Sequence, residues 1–290
     1  MERGKVVVER VGGKSKVTRC FCKYPLKFIV PNKVGAAAAA DAVWIYTITY
    51  GGGIVSGDSI AFDVTVGDGC TAVFTTQSST KVYKSLGSKS SQQTLEASVG
   101  QDALLVVIPD PVTCFSTAKY SQIQNFKLAS GSSLLLVDWI TSGRHESGEK
   151  WAFSHFKTTN RILLDDNEPV FLDTMLLEQE SNSSIADRLQ DYQAIAMIVL
   201  WGPKLKPIQN QIQEDVKKLM SRQFRMPTIG SGFADSKLPK PSFLASCTTF
   251  GPQGTGVVIR IASTTTESVY KFLQHQLASM EAFLGASPYS

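Results

Sequence analysis

From residue 16 to about residue 200 the chain repeats one grammar. A short run that is wholly apolar, or that alternates apolar with polar positions, is closed by Gly, Pro, Asn, Asp or Ser. The runs Trp44–Tyr50, Ser59–Val66, Thr71–Thr76, Ala103–Ile108, Leu134–Ile140, Trp151–Phe156, Val170–Leu177 and Ala194–Leu200 are rich in β-branched and aromatic residues and read as strands. Leu104–Ile108 and Leu134–Val137 are apolar at every position, which suits strands covered on both faces, so a mainly β protein of stacked sheets or a sandwich is predicted. Two segments break the period of two. Ile208, Ile212, Val216, Leu219 and Met220 recur at helical spacing, as do Val269, Phe272, Leu273, Leu277, Met280 and Leu284. Two helices near the C-terminus follow, the second opened by a capping box from Thr264 to Glu267 and closed near Gly285. Residues 222–242, rich in Pro and Gly, read as a long exposed loop, and Ala36–Ala40 as a loop insertion. Neither marks a boundary, so a single domain over residues 1–290 is expected.

Composition narrows the function. The 29 basic and 25 acidic residues are spread without a long basic block, which leaves no footprint for nucleic acid. No apolar run approaches the ~20 residues needed to span a bilayer, and charges interrupt Val6–Val8 before a signal segment could form. Five widely spaced cysteines, Cys20, Cys22, Cys70, Cys114 and Cys247, argue against a disulfide framework and for a reducing, cytoplasmic setting. Charged residues make up only 19% of the chain, which is compatible with a surface partly covered by partners.

The candidate chemistry is sparse. Of three histidines, His275 falls on the solvated side of the last helix and His155 alternates with Trp151 and Phe153 as a core or boundary residue. His145-Glu146-Ser147-Gly148-Glu149 lacks the second histidine of a zinc hydrolase, and Gly148 disfavours the required helix. Cys20 and Cys22 share one face of a strand and could hold a soft metal, although two small buried hydrophobes is the reading preferred here. Asp138 is in phase with Leu134, Leu136 and Ile140, and Asp173 with Phe171, Met175 and Leu177, so each is aimed where an apolar side chain is expected. Such a carboxylate must take up a proton, pair with a cation such as Arg144, or face water. Asp58 follows Gly57 and could cap the turn.

The loop Gly51-Gly52-Gly53-Ile54-Val55-Ser56-Gly57-Asp58 imitates a nucleotide-binding loop. It leads into a strand pattern where a helix N-terminus is required, and Asp58 stands where a phosphate-binding Lys should be. Together with Tyr24-Pro25, the run from Thr76-Gln77 to Lys81-Val82-Tyr83, Gly143-Arg144 with Gly148-Glu149, and Asp166-Asn167-Glu168-Pro169, this loop resembles the UreD (UreH) family of urease accessory proteins. The resemblance covers roughly residues 20 to 200 and is loose in the last third. It implies a β-helix-like fold and a non-enzymatic scaffold that binds the helical protein UreF. Through UreF the GTPase UreG is recruited to apo-urease, and nickel is delivered, in transit and not tightly held, through an acidic water-filled tunnel. By motif, Asp58, Asp138, Glu149 and Asp173 are the positions associated with that passage. A route that must release Ni²⁺ is well served by carboxylates and water, because imidazole and thiolate hold the ion tightly. Two other classes stay open: a carboxylate-dependent hydrolase using Asp138 and Glu149, and a β adaptor that never contacts metal. The C-terminal helix and the loop before it are the contact sites expected for UreF.

Overall fold

The computed structural model describes residues 3–32, 40–165, 167–224 and 240–289. In spatial order the first sheet contains β14 (Pro169–Glu178), β13 (His155–Leu164), β11 (Lys119–Leu128), β8 (Ser91–Val99), β5 (Ser59–Val66), β1 (Gly4–Val11) and β2 (Lys14–Phe21). The second contains β16 (Phe243–Phe250), β17 (Gly256–Ser263), β15 (Ala194–Trp201), β12 (Ser133–Thr141), β9 (Leu104–Val107), β6 (Thr71–Thr76), β4 (Ala42–Thr49) and β3 (Leu26–Ile29). From β4 to β13 the long strands alternate between the two sheets, and each lies parallel to the strand one coil earlier. The result is a set of stacked coils resembling a β-solenoid. Short strands β7 (Thr80–Val82) and β10 (Val112–Cys114), with Ile54 and the end of β12, make a narrow third side.

Stacking in register lines up the inward positions of successive coils. In the first sheet one inner row reads Ile60, Gln93, Gln122, Thr158 and the next reads Phe62, Leu95, Gln124, Asn160, Asp173. The row after that, Val64, Ala97, Phe126 and Ile162, is apolar again. The coil corners are tight enough to exclude side chains. A Cβ on Gly131, whose φ is +70°, would lie 2.3 Å from Asp102 Oδ1.

Two apolar layers hold the molecule together. One lies between the sheets and includes Phe62, Leu105, Phe126, Leu136, Phe156 and Ile162. The other covers the outer face of the second sheet with helices: α2 (Lys206–Phe224), α3 (Thr266–Leu277) and α4 (Glu281–Leu284), bringing Ile208, Ile212, Val216, Leu273 and Leu277 against Val137, Trp139 and Ile198. This is why β9 and β12 are apolar on both faces, and every residue from Ser133 to Thr141 is buried. A shorter helix, α1 (Ile185–Leu189), is opened by a capping box between Ser184 and Asp187. No helix among the described residues is long and apolar enough to cross a membrane.

The helical pattern of the sequence is realised by α2 and by α3 with α4, and Gly285 ends the last turn at φ +78°. The N-cap of α3 is Thr265, whose Oγ1 accepts from Ser268 N at 3.3 Å. The expected cap, Thr264, instead donates its backbone N–H to Ser242 O, and Glu267 pairs with Lys271. The run Trp151–Phe156 is not a strand before His155. Trp151 has φ +54° and its indole donates to Tyr192 O at 2.9 Å, so the aromatic residues plug the end of the coil, and burial, not pairing, explains their apolar character. Cys20 and Cys22 are exposed, because β2 is an edge strand, so the expectation that they are buried is corrected. Helix α2 continues to Phe224, three residues into the segment expected to be loop. Residues 225–239 of that segment, most of the Ala36–Ala40 insertion and Asp166 lie outside the described residues.

Candidate functional site

The inward polar rows of the first sheet meet Asp138 from β12 of the second. Asp138 Oδ2 accepts from Thr158 Oγ1 at 2.7 Å and Asn160 Nδ2 at 2.6 Å, and Oδ1 from Gln122 Nε2 at 3.3 Å. Gln122 Oε1 also accepts from Tyr120 Oη at 3.2 Å, and Asn160 Oδ1 from Gln124 Nε2 at 2.8 Å, so five polar side chains are knitted around one carboxyl. Asp138 is 4% exposed. Burial pushes its carboxyl above the ordinary range and the charge of Asp173 adds to this, while the bonds from Thr158, Asn160 and Gln122 pull the other way. No arginine or lysine forms an ion pair with it among the described residues.

A cavity of about 230 Å³ reaches this cluster from one side of the coil stack. Its lining runs from Gln93 and the buried Gln122, Gln124 and Asp138 to the exposed Gly52, Gln77, Ser78 and Lys81, with buried Gly53 between. The sequence motifs Gly-Gly-Gly and Thr-Gln therefore build the opening. Gly53 is needed for contact with the neighbouring coil: a Cβ there would lie 2.7 Å from Lys81 O and 2.7 Å from a ring carbon of Tyr83. Asp110, also in the wall, accepts from Tyr270 Oη at 2.7 Å and ties the cavity to α3.

On the other side of Asp138 the polar seam continues along the register. Asn160 pairs across strands with Asp173, and Asp138 with Met197, which pairs in turn with Arg260. Arg260 Nη2 donates to Asp173 Oδ1 at 2.7 Å between the two sheets, and its other terminal nitrogen lies 4.0 Å from Met197 Sδ. The arginine is 55% exposed, so this end of the seam approaches solvent.

The four carboxylates singled out by motif thus divide. Asp138 and Asp173 belong to one seam. Asp58 lies outside the cavity lining and closes its own turn, accepting from Val55 N at 2.9 Å through Oδ2. Glu149 is held by Arg144 Nε at 3.1 Å and Nη2 at 2.5 Å and by Ser116 N at 3.2 Å, and the Arg144 bond keeps its carboxyl below the usual range. Arg144 stacks over Phe115, 4.2 Å from the ring centroid, so this pair braces the loop after β12. Asp138 and Glu149 share no partner and do not line one cavity, which leaves them without the convergence that paired-carboxylate hydrolysis needs. His155 is half-buried beside Glu178, and among the described residues no three His, Cys, Asp or Glu side chains form a metal-holding group.

Gln93, Gln122, Gln124, Thr158 and Asn160 were not singled out by the sequence reading. They carry the same signal that marked Asp138. Gln122 and Gln124 are in phase with Tyr120, Phe126 and Leu128, and Thr158 and Asn160 with Phe156 and Ile162.

The family model described as UreD urease accessory protein matches residues 2–290. The chain is 61% identical to urease accessory protein D of Arabidopsis thaliana over 100% of both chains. It is 58% identical to urease accessory protein D of Oryza sativa subsp. japonica over 99% of this chain and 94% of the other. The urease accessory protein UreD of Anaeromyxobacter sp. (strain Fw109-5) is 33% identical over 99% and 88%. A match to the family model along almost the whole chain, with a relative 61% identical over its full length, means that the chain belongs to the UreD family of urease accessory proteins.

Proposed function

We propose that this chain is a non-catalytic scaffold for urease maturation. It binds UreF, through UreF brings UreG to apo-urease, and gives nickel a hydrated route between its two sheets. The observation that carries the reading is the buried seam from the cavity opening through Gln122, Gln124 and Asp138 to Asp173. Burying so many amides and a carboxylate where β-solenoid coils elsewhere place Val, Phe and Ile costs stability, and the cost has a use if a hydrated cation passes there. Carboxylate, amide carbonyl and water bind Ni²⁺ without the retention that histidine or thiolate would impose. Asp138 supplies the carboxyl without a cationic partner along the route, Asp173 is paired with Arg260 at its far end, and Asp58 and Glu149 shape the loops around it. The nickel is cargo, and no resident cofactor is required. A cytoplasmic setting fits this role.

The test is a steric plug. Gln124→Phe adds bulk to the middle of the seam while leaving the outer surface unchanged. Apo-urease matured by the full set of accessory proteins containing this variant is expected to hold less than roughly a tenth of the wild-type nickel, with the complex still assembling on a sizing column. Unchanged nickel content with a folded variant would overturn the passage.

A further inference from the structure

Pro109 and Asp110 line the cavity at the corner Pro109-Asp110-Pro111 between β9 and β10. Two of these three residues carry no N–H, so sheet pairing cannot fix the corner. Its one amide, Asp110 N, donates to Thr76 Oγ1 at 2.8 Å, and Pro111 O accepts from Thr80 N at 3.0 Å. The other bonds come from the outer face of the second sheet and from the helices that cover it. Pro109 O accepts from Trp139 Nε1 at 2.8 Å and from Tyr289 Oη at 3.0 Å, and Asp110 Oδ1 accepts from Tyr270 Oη at 2.7 Å. The three rings pack edge to face. The Trp139 centroid lies 4.8 Å from that of Tyr270 and 6.3 Å from that of Tyr289, and the two tyrosines are 5.9 Å apart. Tyr270 stands on α3. Tyr289 follows α4 with φ +62°, a left-handed conformation that side chains disfavour, and Gln274 Nε2 of α3 donates to its carbonyl at 2.5 Å. Burial and the neighbouring Asp110 raise the Tyr270 phenol above its ordinary range, so it remains a donor at neutral pH.

We propose that Tyr270 and Tyr289 are positioning residues for the cavity: they clamp the Pro109–Asp110 corner from the helical layer and keep the Asp110 carboxylate in its wall, a second carboxyl in addition to that of Asp138. The two bonds join residues 160 and 180 positions apart, so they form only when the helices are docked on the sheet. Asp110 and Asp138 are the carboxylates of the cavity lining, and among the described residues Asp110 is in no ion pair. Rings that only filled space on Trp139 would need no hydroxyl, since phenylalanine packs there as well. Both hydroxyls instead meet acceptors of the one corner that lacks backbone donors. Loss of either hydroxyl loosens the corner without altering any residue of the cavity lining. That Asp110 serves a cation rests on the passage reading; the clamp itself does not.

The experiment follows amide hydrogen exchange of the full chain by mass spectrometry. Between Ile108 and Val112 only Asp110 carries an exchangeable amide, so its rate reports on the corner. Tyr289→Phe is expected to speed that exchange roughly fivefold or more. Tyr270→Phe, which loses a bond to a carboxylate, should speed it roughly tenfold or more, with exchange in β9 and β12 unchanged. Trp44→Phe is the control, because Trp44 Nε1 donates to Leu284 O at 2.9 Å and anchors the same helical layer without a bond to the corner. It should leave Asp110 exchange as in wild type. In urease matured by the full set of accessory proteins, Tyr270→Phe should lower nickel as far as Asp110→Asn does, and the double variant no further. Unchanged Asp110 exchange in both tyrosine variants overturns the clamp, as does an equal rise along β9 and β12 or in Trp44→Phe. Full nickel with Tyr270→Phe, or additive losses in the double variant, overturns the positioning of Asp110. The passage itself is judged by the Gln124→Phe plug and not by exchange, so it can fail while the clamp stands.

Discussion

Asp138→Leu should lower the unfolding free energy by about 3 kcal/mol, and Asp138→Asn by about 1 kcal/mol at neutral pH. The leucine removes the acceptor for Thr158 Oγ1, Asn160 Nδ2 and Gln122 Nε2, all buried. The Thr158 hydroxyl can turn elsewhere and cavity water can reach part of the cluster, which keeps the loss below the sum of three orphaned donors. Asparagine keeps the shape and one carbonyl oxygen for the two short bonds. Its amide nitrogen then faces Gln122, which can present its own carbonyl only by giving up the bond from Tyr120. The pH dependence separates charge from shape. The Asp138 carboxyl is raised in the folded state, so its stabilising protonation is fully present below the ordinary value of 3.8 and is lost as pH rises through the folded-state value. Wild type should therefore gain on Asp138→Asn as pH falls, the opposite of the trend set by Glu149, whose lowered carboxyl contributes stability that disappears on acidification. Urea midpoints of wild type and Asp138→Asn measured across pH 4 to 8 cancel the Glu149 contribution and isolate the buried group. A gap that stays constant with pH would mean that Asp138 is as well solvated as a surface carboxylate.

A methyl group at the cavity opening should have a comparable effect. Gly53→Ala is expected to cost about 2 to 3 kcal/mol, because the added carbon meets Lys81 O and the Tyr83 ring at 2.7 Å each. Lys81 O is not free to move: it accepts the Ile54 N–H at 2.8 Å, and Tyr83 N donates back to Ile54 O at 2.9 Å, with Ile54 fully buried between them. Gly51 is the internal control. A Cβ there meets nothing within 4 Å, and only its φ of +80° resists substitution, so Gly51→Ala should cost about 1 kcal/mol. Equilibrium unfolding of the two variants checks the ordering. Equal losses would show that backbone conformation, and not packing of one coil on the next, explains the glycine triplet.

These two sites also show what could be read from residues alone. The period of two located β5 and β6 to the residue, since Ile60, Phe62, Val64 and Val66 are all inward and buried with half-exposed residues between them. The same period marked Asp138 and Asp173 as inward carboxylates. It passed over β8 and β11, because their inward positions include Gln93, Gln122 and Gln124, and a run with polar residues on both faces does not announce a strand. Closure into stacked coils was invisible locally: Gln122 pairs with Gln93 and Thr158, one coil away on either side, and only the family resemblance implied that arrangement. Glu149 and Asp58 were legible as acidic and loop-borne, but their pairing with Arg144 and Val55 depends on turn geometry. Arg260, which meets Asp173 across the open end of the sandwich, lies in the part of the chain where the resemblance was loose. The terminal helix also needs no partner to explain its apolar stripe, because Val269, Leu273 and Leu277 are fully buried on the second sheet.

We propose that the Asp138 carboxyl helps to carry nickel between the sheets, and the nickel content of urease matured by accessory complexes containing Asp138→Asn, assembled in the same amount as wild type, tests this. A fall of roughly tenfold or more is expected, because the substitution replaces a carboxyl that can ionise beside a cation with an amide that cannot, with almost no change in shape. Urease carrying its full complement of nickel from an intact Asp138→Asn complex would contradict the account.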